Sequence, residues 1–396
     1  MSQLRPLPRR ARGFSLIDVM VGIVIALIAV LVIYQVFDVS EGIKRNATGA
    51  GDAQQNGLLS SFMMALQFAD AGANIAVAAD SLDACPYVND IKTTLRPIPV
   101  LITDSGSDAT SDTFVVNYGA SERTVTPTNF SSAPTIDPSA DYVVQSPLGY
   151  RTNDVVIMMS SDSNGAGKCA SSIVTDVSAP DGDGYVTIKH TAPSDASVFA
   201  GDAMLMDLGA SPRRIQFDVA PAATDCSAIN TTCTLRNQEL FNVDVDNPSQ
   251  PFAAVDTPVP IANNIVLMKV QYGIADPATG FIQKWVKATN DGGEDWSANA
   301  VLTTKTYTDL SRIKAVRLAL IVRSETYDKC AYADVCPGAT SNTFSYTLFG
   351  DCDSIACPAP ITGTIDPTPG AGNFRYRVYE MVVPLRNAVW NIHKAT

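Results

Sequence analysis

Histidine is nearly absent. The 396-residue chain has two, His190 and His393. That removes most Ser-His-Asp catalysis and most zinc sites, which depend on imidazole as base or ligand. There is no C-x-x-C pair, no G-x-x-x-x-G-K-[ST] phosphate loop and no G-x-S-x-G elbow. Cations are scarce as well. Lys plus Arg total 28 against 40 Asp plus Glu, a formal net charge of −12. A nucleic-acid partner needs clustered Lys and Arg, so that function is not expected. Paired carboxylates for glycoside hydrolysis have no spacing that singles them out. Asp181-Gly182-Asp183-Gly184 hints at calcium, but position twelve is Ala192, so the EF-hand pattern fails and a hairpin turn before Tyr185 is the simpler reading. Asp291-Gly292-Gly293 reads the same way. No metal, no cofactor and no catalytic residue is expected.

What is present begins at the N-terminus. Arg5, Arg9, Arg10 and Arg12 precede a long apolar run, Phe14–Phe37, whose one charged side chain is Asp18. As a helix this run is about 36 Å long, enough to cross a bilayer core of about 30 Å. Arginines before it and none immediately after place the N-terminus in the cytoplasm and the rest outside. A conventional signal peptide has a shorter apolar region followed by a small-residue cleavage site. Asp38–Lys44 offers none, and Thr48-Gly49-Ala50 is a weak candidate further on. A simple uncleaved anchor explains the run, but not Gly13 directly before Phe14 nor the acid inside the helix.

Arg12-Gly13-Phe14-Ser15-Leu16-Ile17-Asp18-Val19-Met20 resembles the type IV prepilin signal. The resemblance implies cleavage between Gly13 and Phe14 by a prepilin peptidase, methylation of the new Phe14 amine, and retention of the apolar helix. Asp18 stands where that family usually carries Glu. Val39-Ser40-Glu41-Gly42, Asp52–Gly57, Ala69–Gly72, Val270–Ile274, Val316–Ser324 and Val383–Asn387 with Trp390 are similar to segments of PilW-type minor pilins. That likeness implies a non-enzymatic subunit in type IV pilus assembly or initiation. Its partners would be other minor pilins, the major pilin, the prepilin peptidase and the inner-membrane assembly platform. It would sit in the inner membrane of a Gram-negative bacterium with its head in the periplasm, and then in the pilus. A minor pseudopilin of a type II secretion system and a pilus-tip adhesin are the alternatives. A carboxylate in a membrane helix is costly and tends to be functional. Asp18 is expected to pair with a neighbouring subunit's Phe14 amine, while Gly22 and Ala26, four apart, let helices approach closely.

The expected organisation is a leader at 1–13, a membrane or fibre-core helix at 14–37, the second half of the spine at 38–75, and an exported β-rich head at 80–396. In the second half, Leu58, Leu59, Phe62, Met63, Leu66 and Phe68 lie near helical spacing and are expected to bury against the head. Gly42, Gly49, Gly51 and Gly57 suggest a frayed or interrupted helix, or a segment that melts on packing. Beyond residue 80, runs such as Phe114–Tyr118, Val155–Met159, Tyr185–Lys189, Ile265–Val270, Ala315–Arg323 and Tyr376–Val383 alternate with turn clusters. Residues 119–140 and 351–373 read as surface loops, with a helical turn at Asp309–Ile313. The fold class is α+β: a long N-terminal helical spine carrying a large antiparallel β head.

Eight cysteines in an oxidising compartment should pair. Proximity suggests Cys226 with Cys233, Cys330 with Cys336 and Cys352 with Cys357, leaving Cys85 and Cys169. On the order of a hundred connectivities exist for eight cysteines. Trp285, Trp296 and Trp390 are expected to be core or hairpin aromatics. Lys314, Arg317 and Arg323 read as a solvated strand face.

Overall fold

The computed structural model describes residues 15–75, 98–121, 126–131, 134–145, 149–160, 168–221, 232–240, 257–290, 293–326, 344–351, 356–365 and 374–389. The stem helix, Leu16–Asp70, is one continuous rod of 55 residues, about 80 Å long. Its glycines do not interrupt it. Each weakens the helix by about 1 kcal/mol relative to alanine, and docking of the second half onto the head offsets that. Beyond Asp70 the chain turns through Gly72 and Asn74, both at positive φ.

The head that follows is antiparallel throughout its named strands. Sheet one runs β1 (Val100–Thr103), β2 (Thr113–Tyr118), β11 (Arg213–Ala220), β12 (Thr234–Glu239), β13 (Val259–Asn263). Sheet two runs β3 (Thr128–Asn129), β10 (Met204–Gly209), β6 (Val155–Ser160), β7 (Lys168–Val177), β8 (Val186–His190), β5 (Tyr142–Val144). Sheet three runs β15 (Ile282–Val286), β14 (Ile265–Ala275), β16 (Ile313–Arg323), β19 (Tyr376–Pro384). Two small ribbons pair β4 (Thr135–Ile136) with β9 (Phe199–Ala200), and β17 (Phe344–Leu348) with β18 (Ile361–Ile365). The segments expected to be loops therefore carry short strands: β3 and β4 within 119–140, and β18 within 351–373. A helix at Tyr307–Leu310 stands close to the expected turn, and further short helices span Ala298–Thr303 and Arg386–Val389.

Sequence pattern explains the layers. β11 alternates buried and half-buried residues, the mark of a strand with one covered face. β16 is buried at every position because both its faces are covered. Val316, Leu318, Leu320 and Val322 join a core that includes Ala53, Met64 and Phe68 of the stem and strands of sheet one. Ala319 and Ile321 point the other way, into a core with Tyr346, Leu348 and Ile361 of the β17–β18 ribbon.

Sheet two is an insertion. β2 and β11 are neighbours in sheet one, yet all of β3–β10 lies between them in the chain. These strands enclose their own apolar core, including Tyr142, Val156, Met158, Val174, Ile188, Phe199 and Leu205.

Candidate functional site

The outer half of the stem is not covered by the head. From Leu16 to Thr48 every residue whose side chain is described is exposed, and the most apolar stretch has a mean hydropathy of 3.1 with none of it buried. Among the described residues, this one helix is long and apolar enough to cross a membrane. Asp18 sits in the first turn of the stem, where the positive end of the helix dipole favours an acid. Gly22 and Ala26 follow at four-residue steps and so share a side of the helix with Asp18. An added Cβ at Gly22 would meet nothing within 4 Å, so that side is open. Gly13 and Phe14 lie outside the described residues.

The inner half docks, but on a different face from the one hydropathy suggests. Ala53, Ser60, Met64 and Phe68 are fully buried, whereas Leu58, Phe62 and Leu66 are 54%, 61% and 47% exposed and Leu59 and Met63 also lie open. Of the six residues expected at the seam, Phe68 alone is there. The reason is distance. Where Gly49 stands, a Cβ would lie 2.5 Å from Thr326 Oγ1; at Gly57 it would lie 2.2 Å from the Tyr379 ring. Gly49, Ala53 and Gly57, four residues apart, form a notch into which sheet three fits. The larger side chains are left on the outer flank. Small residues at i, i+4 and i+8 were the sequence signal for this seam.

Polar contacts fix the register. Thr326 Oγ1 donates to Arg45 O at 3.4 Å, and Tyr379 OH to Ala53 O at 3.5 Å. Tyr118 OH donates to Gln67 Oε1 at 3.0 Å. At the end of the stem, Asn387 Nδ2 lies 3.3, 3.3 and 3.2 Å from the carbonyls of Ala69, Asp70 and Ala71. Those carbonyls lack helix partners, so the short C-terminal helix acts as a cap supplied from the far end of the chain. No sequence pattern marked this role.

The expected solvated face at Lys314, Arg317 and Arg323 is a correction: all three are buried. Lys314 Nζ donates to Ala388 O, and burial pushes its pKa down to about 8. Arg317 donates through Nε and Nη2 to Gln271 Oε1 and lies over the rings of Trp285 and Phe349. Arg323 reaches Asn264 Oδ1 and covers Phe374. Guanidinium groups are weakly hydrated and stack on aromatic faces, which makes such burial tolerable. Lys269 and Asp112, 1% and 2% exposed, pair at 2.7 Å. Lys269 also donates to Ser105 Oγ and Ser107 O, while Asp112 accepts from the Ser105 and Val270 backbone N–H groups. Burial raises the Asp112 pKa, and Lys269 opposes that. The pair ties the β1–β2 loop to β14.

Other candidates resolve as structure. Trp285 and Trp296 are buried; Trp390 and His393 lie outside the described residues. His190 stacks on Tyr142 at 3.7 Å, with its ring nitrogens against Thr191 O and Ala140 O. Asp181 Oδ1 accepts the N–H groups of Asp183 and Tyr185, closing the β7–β8 turn. Among the described residues no group of three His, Cys, Asp or Glu side chains could hold a metal. Cys169, Cys233 and Cys357 are disulfide-bonded; Cys85, Cys226, Cys330, Cys336 and Cys352 lie outside the described residues.

An uncovered apolar helix rigidly joined to a β head can insert in a membrane and pack against other such helices. Residues 230–387 match the family model PilW, type IV pilus-assembly protein W. The matched span includes β12 to β19 and reaches Asn387; the stem and the inserted sheet lie before it. This likeness supports involvement in type IV pilus assembly. No curated protein and no solved structure matches the chain.

Proposed function

We propose that this protein is a minor pilin that takes part in building or initiating a type IV pilus and has no enzymatic role. The carrying observation is the PilW-like span at 230–387 in a head that docks the inner half of a stem whose outer half is uncovered. On this reading residues 1–13 are removed at Gly13–Phe14, residues 14–37 wait in the inner membrane, and 38–75 join them to the head at 80–396. Asp18 then meets the Phe14 amine of an adjacent subunit, and Gly22 and Ala26 allow close packing. The exposed flank of Leu58, Leu59, Phe62, Met63 and Leu66 gives the docked half an apolar surface of its own, which packing of neighbouring stems would cover. The three short-loop disulfides and Cys85–Cys169 brace the exported head.

Asp18 is the test. Opposite charges attract strongly where water is scarce. Asp18→Ala should leave cleavage and insertion intact, read by intact mass of membrane-extracted protein, yet reduce its recovery in sheared fibres. Asp18→Glu should restore it. Wild-type recovery of the alanine variant would sink the pairing. A mature species retaining residues 1–13 in a strain with active peptidase would sink the processing. A tip-adhesin reading draws on the inserted sheet, which lies ahead of the matched span and has its own core. Removing that sheet would then abolish attachment while pili still form.

A further inference from the structure

An outer strand of a sheet is protected by brevity, proline, a bulge or closure. In the three large sheets every outer strand but one carries such a device. β15 has five residues and a register shift, and its Trp285 N–H donates to Ala356 O at 2.9 Å. β13 contains Pro260, which has no N–H to offer. β1 has four residues. In the inserted sheet β3 and β5 close on each other: Phe130 bridges Val144, and Ser131 N–H donates to Val143 O at 2.9 Å.

β19 is the exception. Its nine residues pair with β16 without a register shift, and its one proline is its last residue. Ser324 N–H donates to Arg375 O at 2.7 Å and Leu385 N–H to Lys314 O at 2.8 Å. Backbone groups alternate sides along a strand, so the odd-numbered positions of β19 bond β16 and the even-numbered ones turn outward. The backbone N–H and C=O groups of Val378, Glu380 and Val382 have no hydrogen bond, and all three residues are exposed. They form a row of donor–acceptor pairs about 7 Å apart. An added extended strand satisfies such a row in full.

A second β19 does not suit this edge. β19 runs in the same sense as the stem, with Tyr379 beside Ala53 and Gly57, and Asn387, just past the strand, beside Ala69 and Ala71. Two copies joined antiparallel through β19 would point their stems in opposite directions, which a single membrane does not hold. The side chains give the partner's chemistry. Val378 and Val382 flank Glu380 on one face of the sheet. Arg377 lies on the other face, exposed and in no ion pair. We infer that the outer edge of β19 takes up an antiparallel strand from a different subunit of the same assembly, apolar opposite Val378 and Val382 and acidic opposite Arg377. The source of that strand rests on the pilus-assembly reading; the strand addition rests on the edge alone.

The experiment is isothermal titration calorimetry on the full-length protein in detergent, with the peptide acetyl-Val-Thr-Lys-Thr-Val-Glu-amide. Its six residues lie opposite Val382 to Arg377 in turn. Saturable binding in the millimolar range or tighter is expected. N-methylation of the lysine and the second valine blocks nitrogens that face β19 and should weaken binding about tenfold or more. The same change on both threonines, whose nitrogens face away, should alter it less than about threefold. Val382→Pro removes one outward N–H without touching the β16 ladder. It should weaken binding about fivefold or more, with the near-UV circular dichroism of the head unchanged. Arg377→Glu should weaken it about threefold or more, and a peptide ending in lysine should recover the loss. No saturable heat up to about 20 mM, equal loss from methylating either pair of residues, or wild-type binding by Val382→Pro would overturn the strand addition. A dimer of the free protein that Val382→Pro dissolves would overturn the choice of partner in favour of a second copy. Normal pili in a deletion strain would overturn the source of the strand and leave the edge standing.

Discussion

Replacing Gly57 by alanine puts a methyl group where the Tyr379 ring lies. The new Cβ would be 2.2, 2.5 and 2.6 Å from three ring carbons. Ordinary carbon contacts are about 3.5–4.0 Å, so the ring or the stem must retreat by more than about 1 Å. Overpacking of this kind costs about 1–3 kcal/mol. Against it stands the helix preference of alanine over glycine, about 1 kcal/mol. The net result is destabilisation of about 0–2 kcal/mol. Gly51 supplies the control, since an added Cβ there meets nothing within 4 Å. Gly51→Ala should therefore stabilise by up to about 1 kcal/mol. The same chemical change, two helical turns apart at most, has opposite signs. Urea denaturation of the full chain in detergent, followed by near-UV circular dichroism of the head, reads both. A third variant closes the cycle: in a Tyr379→Ala background the obstruction is gone, and Gly57→Ala should become stabilising there. If Gly57→Ala raises stability as much as Gly51→Ala in the wild-type background, the stem does not dock on Tyr379 and the seam is wrong.

Asn387→Ala should leave the last stem carbonyls without their cap and cost about 1–2 kcal/mol, seen as faster amide exchange near residues 69–75; unchanged exchange there would exclude the cap. Lys269→Met strands Asp112 in the core and should cost about 3–5 kcal/mol, with Lys269→Met/Asp112→Leu recovering most of it; a single-variant loss below about 1 kcal/mol would mean the pair is solvated. Asp154, whose folded pKa is raised to about 6 by burial and the neighbouring Asp207, makes the folded state favour its protonated form. That contribution is fully present below the ordinary carboxylate range and is lost as pH rises through about 6. Asp154→Asn should thus be more stable than wild type at pH 7 and show a flatter profile from about pH 4 to pH 7, measured by thermal unfolding; an unchanged profile would contradict the buried carboxylate.

The local patterns carried much of the fold. Phe14–Phe37 could be read as a membrane-length helix because a bilayer demands an unbroken apolar run, which is visible without any partner. Ile265–Val270 and Ala315–Arg323 could be read as strands because β-branched residues cluster between turn signals. The docked face of the stem was a different matter. Hydropathy pointed to Leu58, Leu59, Phe62, Met63 and Leu66, yet Gly49, Ala53 and Gly57 make the seam. Close approach of a helix to a sheet is limited by side-chain bulk, and glycine carries no hydropathic weight. Arg317 read as a surface charge because its partners are remote in sequence. Trp285 and Phe349 flank Arg317, and the buried Lys269 likewise meets a remote partner, Asp112, from the β1–β2 loop of another sheet. The neighbourhood of β2 and β11 was equally hidden, since a sheet pairs strands by backbone hydrogen bonds that any sequence can make. Which strands meet, and which charges are thereby enclosed, depended on how the whole chain packs its apolar faces together.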